Sequence, residues 1–309
     1  MSVTPGQLSP SFRRPSSRVA IRRAESYQVD LGALLFETLR EFNPPVRGKT
    51  ILLKPNFVGP DPLGVINTHP AVVGAAREAF LRLGAGRVII GDGAALERDT
   101  ESILEAMRLR EFVGPLPSCF VDLNTDEVRR VALRTRASSL GELYLPETVL
   151  GADLVVSLPK LKTHHWTGVT LSLKNMFGIV PGSCYGWPKN ILHWAGITRA
   201  LLDINATVRP GFAIVDGIVG MEGNGPIQGI PKHCGVLVLG DDPVAVDATC
   251  ARIMGLKPER IDHLTQASYL LGHLKEDNIR QLGESIVRVR RPFEVISAFR
   301  RIRARGNGH

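Results

Sequence analysis

Short apolar runs alternate along this chain with longer stretches in which apolar residues recur every three or four positions. That rhythm predicts strands alternating with helices. Leu31, Leu34, Leu35 and Leu39 share one helical face, so Asp30–Phe42 is expected to be a helix ended by Pro44-Pro45. Thr50–Leu53 follows as a buried strand. Pro70–Leu83 reads as a helix with Thr68 or His69 at its cap, and Arg87–Ile90 as a strand closing on Gly91-Asp92-Gly93. Glu101–Phe112 is helical in spacing, Asp153–Leu158 is a strand, and Asn190–Val208 is again helical. Phe212–Val215 runs into Asp216-Gly217, and Val236–Leu239 into Gly240-Asp241-Asp242. Asp242 and Pro243 form a cap and first-turn pair for the helix Val244–Met254, and Pro258 opens another through Leu271. The pattern predicts a three-layer α/β fold, a mostly parallel sheet with helices on both faces. Phe120–Asp122, Val128–Leu133 and Leu143–Leu145 look antiparallel and are expected to form a small insertion or edge.

The net charge of +8 suggests an acidic partner until it is located. Residues 1–25 carry +4 and residues 286–309 carry +6, which leaves 26–285 at −2. The folded body is nearly neutral, so specific nucleic-acid binding is not expected. The expected organisation is a disordered basic arm over 1–25, one α/β domain over 26–285 and a basic strand or helix tail over 286–309. On the same arithmetic, residues 1–23 and 292–309 are expected to be dispensable for folding. Neither Arg-Arg pair of the arm precedes an apolar segment, and no run reaches membrane-spanning length, so a cytoplasmic protein is expected. Cys119, Cys184, Cys234 and Cys250 are far apart and make no C-x-x-C pair, hence no iron–sulfur motif.

The segment LPKLKTHHWTGVTLSLKNMFGIVPG, residues 158–182, concentrates the candidate chemistry. A buried strand empties into a loop holding Lys160, Lys162, His164, His165, Lys174 and Asn175 among small residues. Such a loop suits an anionic ligand. Histidine titrates near neutrality, and a lysine crowded by other cations loses proton affinity, so His164 and Lys174 are the expected proton-transfer groups. His193 is a further proton carrier. Lys54, at a strand end, His69, at a helix start, and Arg199 join Lys160, Lys162 and Asn175 as expected substrate-binding residues. Asp92 and Asp216 sit beside glycine after a buried strand and are candidate cation ligands. Asp241 and Asp242 are expected along the same sheet edge. No G-x-G-x-x-G after a strand, no P-loop and no G-x-S-x-G elbow occurs, which removes most support for dinucleotide-fold dehydrogenases, P-loop NTPases and α/β-hydrolases.

ILLKPNFVGP, INTHP, LGAGRVIIGDGA, the lysine/histidine loop and GDDPVAVDATCARIMGL occur in that order. Together they resemble the family known as domain of unknown function 362, over about residues 48–275. The resemblance implies no general activity. Many members of that family are linked to iron–sulfur redox proteins, which makes a redox protein a candidate partner, although the cysteine-rich module is absent from this sequence. His164, Gly168, Ser172, Lys174 and Pro181-Gly182 also resemble, in order, the nickel-pincer lactate racemase family. That second resemblance implies Lys174 as a cofactor anchor, with His164 and His193 as metal ligand or base. The expected function is therefore a small-molecule enzyme moving a proton or hydride next to a carbonyl of a carboxylate or phosphate substrate. A nucleotide-type cofactor or metal would be brought in rather than encoded by a motif. The alternatives are a nickel-pincer-type racemase or epimerase, and a non-catalytic partner of a redox protein.

Overall fold

The computed structural model describes residues 16–94 and 99–304. Its strands, in chain order, are β1 (Ser17–Arg23), β2 (Thr50–Pro55), β3 (Arg87–Asp92), β4 (Phe120–Asp122), β5 (Val128–Ala132) and β6 (Glu142–Pro146). They continue as β7 (Leu154–Leu158), β8 (Lys160–His164), β9 (Gly168–Thr170), β10 (Phe212–Asn224), β11 (Gln228–Gly240) and β12 (Ile279–Gly283). The main sheet runs β12-β1-β11-β10-β7-β2-β3-β4, with β8 also beside β10 and β9 folded back on β8. Pairing is parallel from β10 through β7, β2 and β3 to β4, and again between β1 and β12.

Alternating side chains sort the core into layers. Ile51 and Leu53 of β2, Val88 and Ile90 of β3, and Ile214 of β10 pack against the helices Leu31–Phe42 and Pro70–Arg82. The intervening Leu52 and Ile89 meet the helix Ile197–Val208 on the opposite face. Further along the sheet, Ala213, Val215, Val236 and Val238 meet the helix Pro243–Ile253. The fold is the expected α/β arrangement, a mostly parallel sheet between helices with a small antiparallel pair, β5 and β6.

From β2 the chain builds outward through β3 and β4, then returns to place β7 on the other side of β2. The carboxyl ends of β2 and β7 thus flank a topological switch point, where open α/β sheets leave a ligand crevice.

Several expectations are corrected by long-range packing. Ser17–Arg23 is no disordered arm but a strand held between β11 and β12, with Val19, Ala20 and Ile21 fully buried. Its arginines find acids far along the chain, Arg18 on Asp241, Arg22 on Glu41 and Arg23 on Glu284. The rest of the predicted arm, residues 1–15, lies outside the described residues. The basic tail docks as well, since Phe293 and Ile302 are buried in the core beside Pro243–Ile253. β4 pairs parallel with β3 rather than joining the antiparallel insertion. β11 turns back on β10 as a hairpin, with Ala213 opposite Gly240 and Asn224 opposite Gln228. That reversal carries Asp241 and Asp242 to the far edge of the sheet, away from Asp92 and Asp216. There Asp242 caps its helix through Val244 N and accepts from Ser17 Oγ. The long predicted helices also break, at Arg108 and at Gly196, where φ is positive.

Candidate functional site

The switch-point crevice deepens into a cavity of about 180 Å³. β2 delivers Lys54 to it, β3 delivers Asp92, and β8 delivers Lys162 and His164. Lys174 and Asn175 come from the short helix Ser172–Asn175, which runs into a 3-10 turn, Met176–Ile179. That short helix is pinned at both ends. Asp247, fully buried on Pro243–Ile253, accepts from Ser172 N at 2.7 Å and Leu173 N at 2.9 Å. Burial pushes the Asp247 carboxyl up to about 7. Asn175 donates to Lys54 O and Ser157 Oγ and accepts from Lys54 Nζ.

Four lysines line the cavity: Lys54, Lys162, Lys174 and Lys189, while Asp92 is the one carboxylate among its described lining residues. Lys54 is ion-paired to Asp92 at 2.5 Å and also donates to Pro55 O. Asp92 in turn accepts from Phe57 N and Gly93 N. A side chain on Gly178 would bring a Cβ to 2.7 Å from Lys54 Nζ, so glycine is needed where the loop closes over this pair. Among the described residues Lys162 Nζ donates only to carbonyls, Ile66 O at 2.6 Å and Pro226 O at 3.4 Å, and Lys189 Nζ donates to Gly178 O at 2.9 Å. Lys174 Nζ lies 4.2 Å over the Phe177 ring and has no hydrogen-bond acceptor among the described residues.

Burial acts on all four. It lowers Lys54 despite Asp92, and lowers Lys162 well below the usual lysine range with help from Lys174. It brings Lys174, with Lys54 nearby, down to about 7, and Lys189 down to about 7 despite Asp92. Three of its four amines, Lys162, Lys174 and Lys189, have no carboxylate in hydrogen-bond contact among the described residues.

The histidines divide by tautomer. His164 Nδ1 accepts from Trp166 N at 3.0 Å, so its proton sits on Nε2. Burial and then Lys174 push this ring far below the usual histidine range, which keeps it a neutral donor. His193 Nδ1 faces Lys189 O at 3.2 Å and His165 Nδ1 faces Gly225 O at 2.9 Å, so in these two rings Nε2 carries the lone pair. Burial, then Lys174, lowers His193 too. His193 packs on Phe177 and, edge to face, on Trp166.

The expected site residues separate into two groups. Lys54, Lys162, His164, Lys174, Asn175, His193 and Asp92 converge on one cavity. Lys160 does not line it. Lys160 is fully buried with Asp216 at 2.9 Å and Tyr27 OH at 2.7 Å, because the β8–β10 register sets Lys160 beside Asp216 but Lys162 beside Met221. Asp216 also accepts from His69 N, so it is committed to fixed donors. Asp92 and Asp216, expected as cation ligands, thus each serve a separate lysine. Among the described residues no group of three or more His, Cys, Asp or Glu could hold a metal ion. His69 is a helix cap, its Nδ1 accepting from Ala71 N and its ring stacked 3.7 Å from Tyr27. Arg199 lies exposed on Ile197–Val208 and outside the cavity. The sequence reading missed Lys189 and Tyr27. Lys189 follows Gly186-Trp187-Pro188, which reads only as a turn, and its own φ of 67° is a conformation composition does not announce.

The family profile described as Domain of unknown function (DUF362) matches residues 51–252. A thylakoid-associated protein of Synechocystis sp. is 32% identical over 261 residues, covering 79% of this chain and 76% of that one. Among solved structures, the lactate racemase apoprotein of Thermoanaerobacterium thermosaccharolyticum aligns over 74% of this chain and 56% of its own, at 14% identity and a TM-score of 0.43. A Thermotoga maritima protein aligns over 65% of this chain and 52% of its own, at 12% identity and a TM-score of 0.40. The chain therefore spans only about half the length of each of these two structures. No helix among the described residues is long and apolar enough to cross a membrane.

Proposed function

Since the chain belongs to the DUF362 family, whose description names no activity, we propose a function from its own cavity: binding of a small oxyanionic substrate and proton transfer next to its carbonyl. One observation carries this reading, the convergence of four lysines and a single carboxylate on one cavity. Burying uncompensated ammonium groups is costly, and the cost is tolerated where a ligand supplies the missing negative charge. Lys162 and Lys189, held in place by carbonyls, are the anion-binding pair, and Lys54 is partly neutralised by Asp92. His164 offers Nε2–H to a carbonyl oxygen as a neutral donor, a role that suits an imidazole kept from ionising. Lys174 is the reactive amine beside the carbon that exchanges its proton, and His193 Nε2 is an acceptor in reach of the same space. The concave, lysine-lined cavity favours a small ligand over a flat docking patch for a redox protein.

A racemase or epimerase acting with an organic cofactor would use the same groups, with Lys174 as the anchor. The described residues offer an amine and two imidazole lone pairs for it, and no group of three or more His, Cys, Asp or Glu among them could hold a metal ion. Proton NMR in deuterium oxide with a panel of small 2-oxo and 2-hydroxy acids tests the activity. Wash-in of deuterium next to the carbonyl, lost in Lys174→Met, is expected. Binding without exchange for every acid that binds would make the protein a carrier instead.

A further inference from the structure

We infer that Lys174 forms an imine with the carbonyl carbon of a small 2-oxo acid, which rests on the oxyanion reading above and adds a covalent step to it. The position of this one lysine differs from that of its neighbours. Lys54, Lys162 and Lys189 each have Nζ directed onto an oxygen acceptor. Lys174 Nζ has none among the described residues and instead sits 4.2 Å over Phe177 at the cavity wall. Its backbone is fixed on one side by Asp247 and on the other by Asn175, so the amine is presented from a rigid base. An amine serving only as a charge would be expected to rest on an acceptor. One serving as a nucleophile needs its lone pair free and its proton easily lost. Burial and the Lys54 charge, which bring this group down to about 7, meet the second requirement.

The rest of the cavity fits the partner. Lys162 and Lys189 bind a carboxylate, and Phe57, Trp166 and Phe177 give apolar walls. The volume of about 180 Å³ slightly exceeds the ~150 Å³ that accommodates benzene, so acids up to one ring in size enter. In the step itself the Nζ lone pair adds to the carbonyl carbon, both Nζ protons pass to the carbonyl oxygen, and that oxygen leaves as water. The product has one C=N bond in place of C=O, with no change in oxidation state. In this step the His164 Nε2–H, on the same cavity wall, donates to the departing oxygen. Once the imine takes up a proton it draws electrons from the adjacent C–H, and His193 Nε2 can accept that proton and return it.

The test uses the whole protein with pyruvate and sodium cyanoborohydride, intact-mass detection and peptide mapping, with acetone as a carbonyl lacking the oxyanion. One adduct per chain on Lys174 is expected, forming at least about tenfold faster than on any surface lysine. Its rate should climb through about pH 7, and acetone should give little. Lys174→Arg should lose the adduct. The map on the unaltered chain stands even where that variant fails to fold. Adducts scattered over many lysines, or equal labelling by acetone, would overturn the inference. Calorimetric binding of pyruvate without any adduct overturns the imine alone. Absence of both binding and adduct overturns the oxyanion reading with it.

Discussion

Replacing Lys174 by methionine should stabilise the protein while abolishing its ligand binding. The buried amine has dropped from 10.5 to about 7, and at about 1.4 kcal/mol per pH unit the full penalty for keeping the charge is roughly 4–5 kcal/mol. Lys174 still touches the cavity solvent, which screens it, so about 2 kcal/mol is the working figure. Methionine also forfeits the ammonium contact with Phe177, about 0.5–1 kcal/mol. A net gain on the order of 1 kcal/mol near neutral pH remains, a rise of about 2–4 °C in Tm. The pH dependence gives a sharper signature. Below about 7 the native and unfolded chains both carry the proton, and the penalty is fully present. Between about 7 and 10.5 only the unfolded chain keeps it, so wild-type stability rises with pH. The advantage of Lys174→Met should therefore shrink steadily as pH rises and vanish near 10.5. Urea unfolding followed by circular dichroism at about pH 6.5, 8 and 9.5 measures this. A variant less stable than wild type at the lowest pH, or two parallel pH profiles, would refute the electrostatic reasoning.

Lys160→Met should behave oppositely, because it leaves Asp216 buried and uncompensated. A loss of roughly 3–5 kcal/mol in urea unfolding is expected, and a neutral result would mean that Lys160 is not what holds Asp216. Phe293→Ala, in the docked tail, should cost about 3–5 kcal/mol by the same assay; a change too small to measure would restore the tail to the status of an appendage. Deleting residues 1–23 removes β1 from between β11 and β12 and should abolish cooperative melting in a calorimeter, whereas an unchanged transition would show that the sheet closes without it.

What was legible in the sequence is what depends on local pattern. β2, β3 and β7 are continuous apolar runs ending at Lys54, Asp92 and Leu158, and a parallel sheet sends those ends to one edge. On that pattern Lys54, His164, Lys174 and Asn175 are expected at one edge, and they line one cavity. What escaped depends on register and on distant partners. Lys160 and Lys162 share a face of β8, and only the pairing with β10 decides that one meets a carboxylate and the other a carbonyl-lined wall. β1 escaped because three buried residues, Val19 to Ile21, sit among arginines whose acids lie up to 261 residues away. The β10–β11 hairpin escaped because glycine and polar residues from Gly217 to Asn224 hide a strand that pairing sustains.

Isothermal titration calorimetry of pyruvate and of inorganic phosphate tests the central claim most directly. Run near pH 7.5 in two buffers of different ionisation enthalpy, it counts protons as well as ligand. A bound oxyanion restores the missing charge, so Lys189, near 7 when the cavity holds no anion, should regain a proton. The account predicts one saturable site for at least one of the two ions, net proton uptake on binding, and loss of the site in both Lys162→Met and Lys174→Met. Saturable binding with no proton uptake that survives both substitutions, or no binding of either ion, would contradict it.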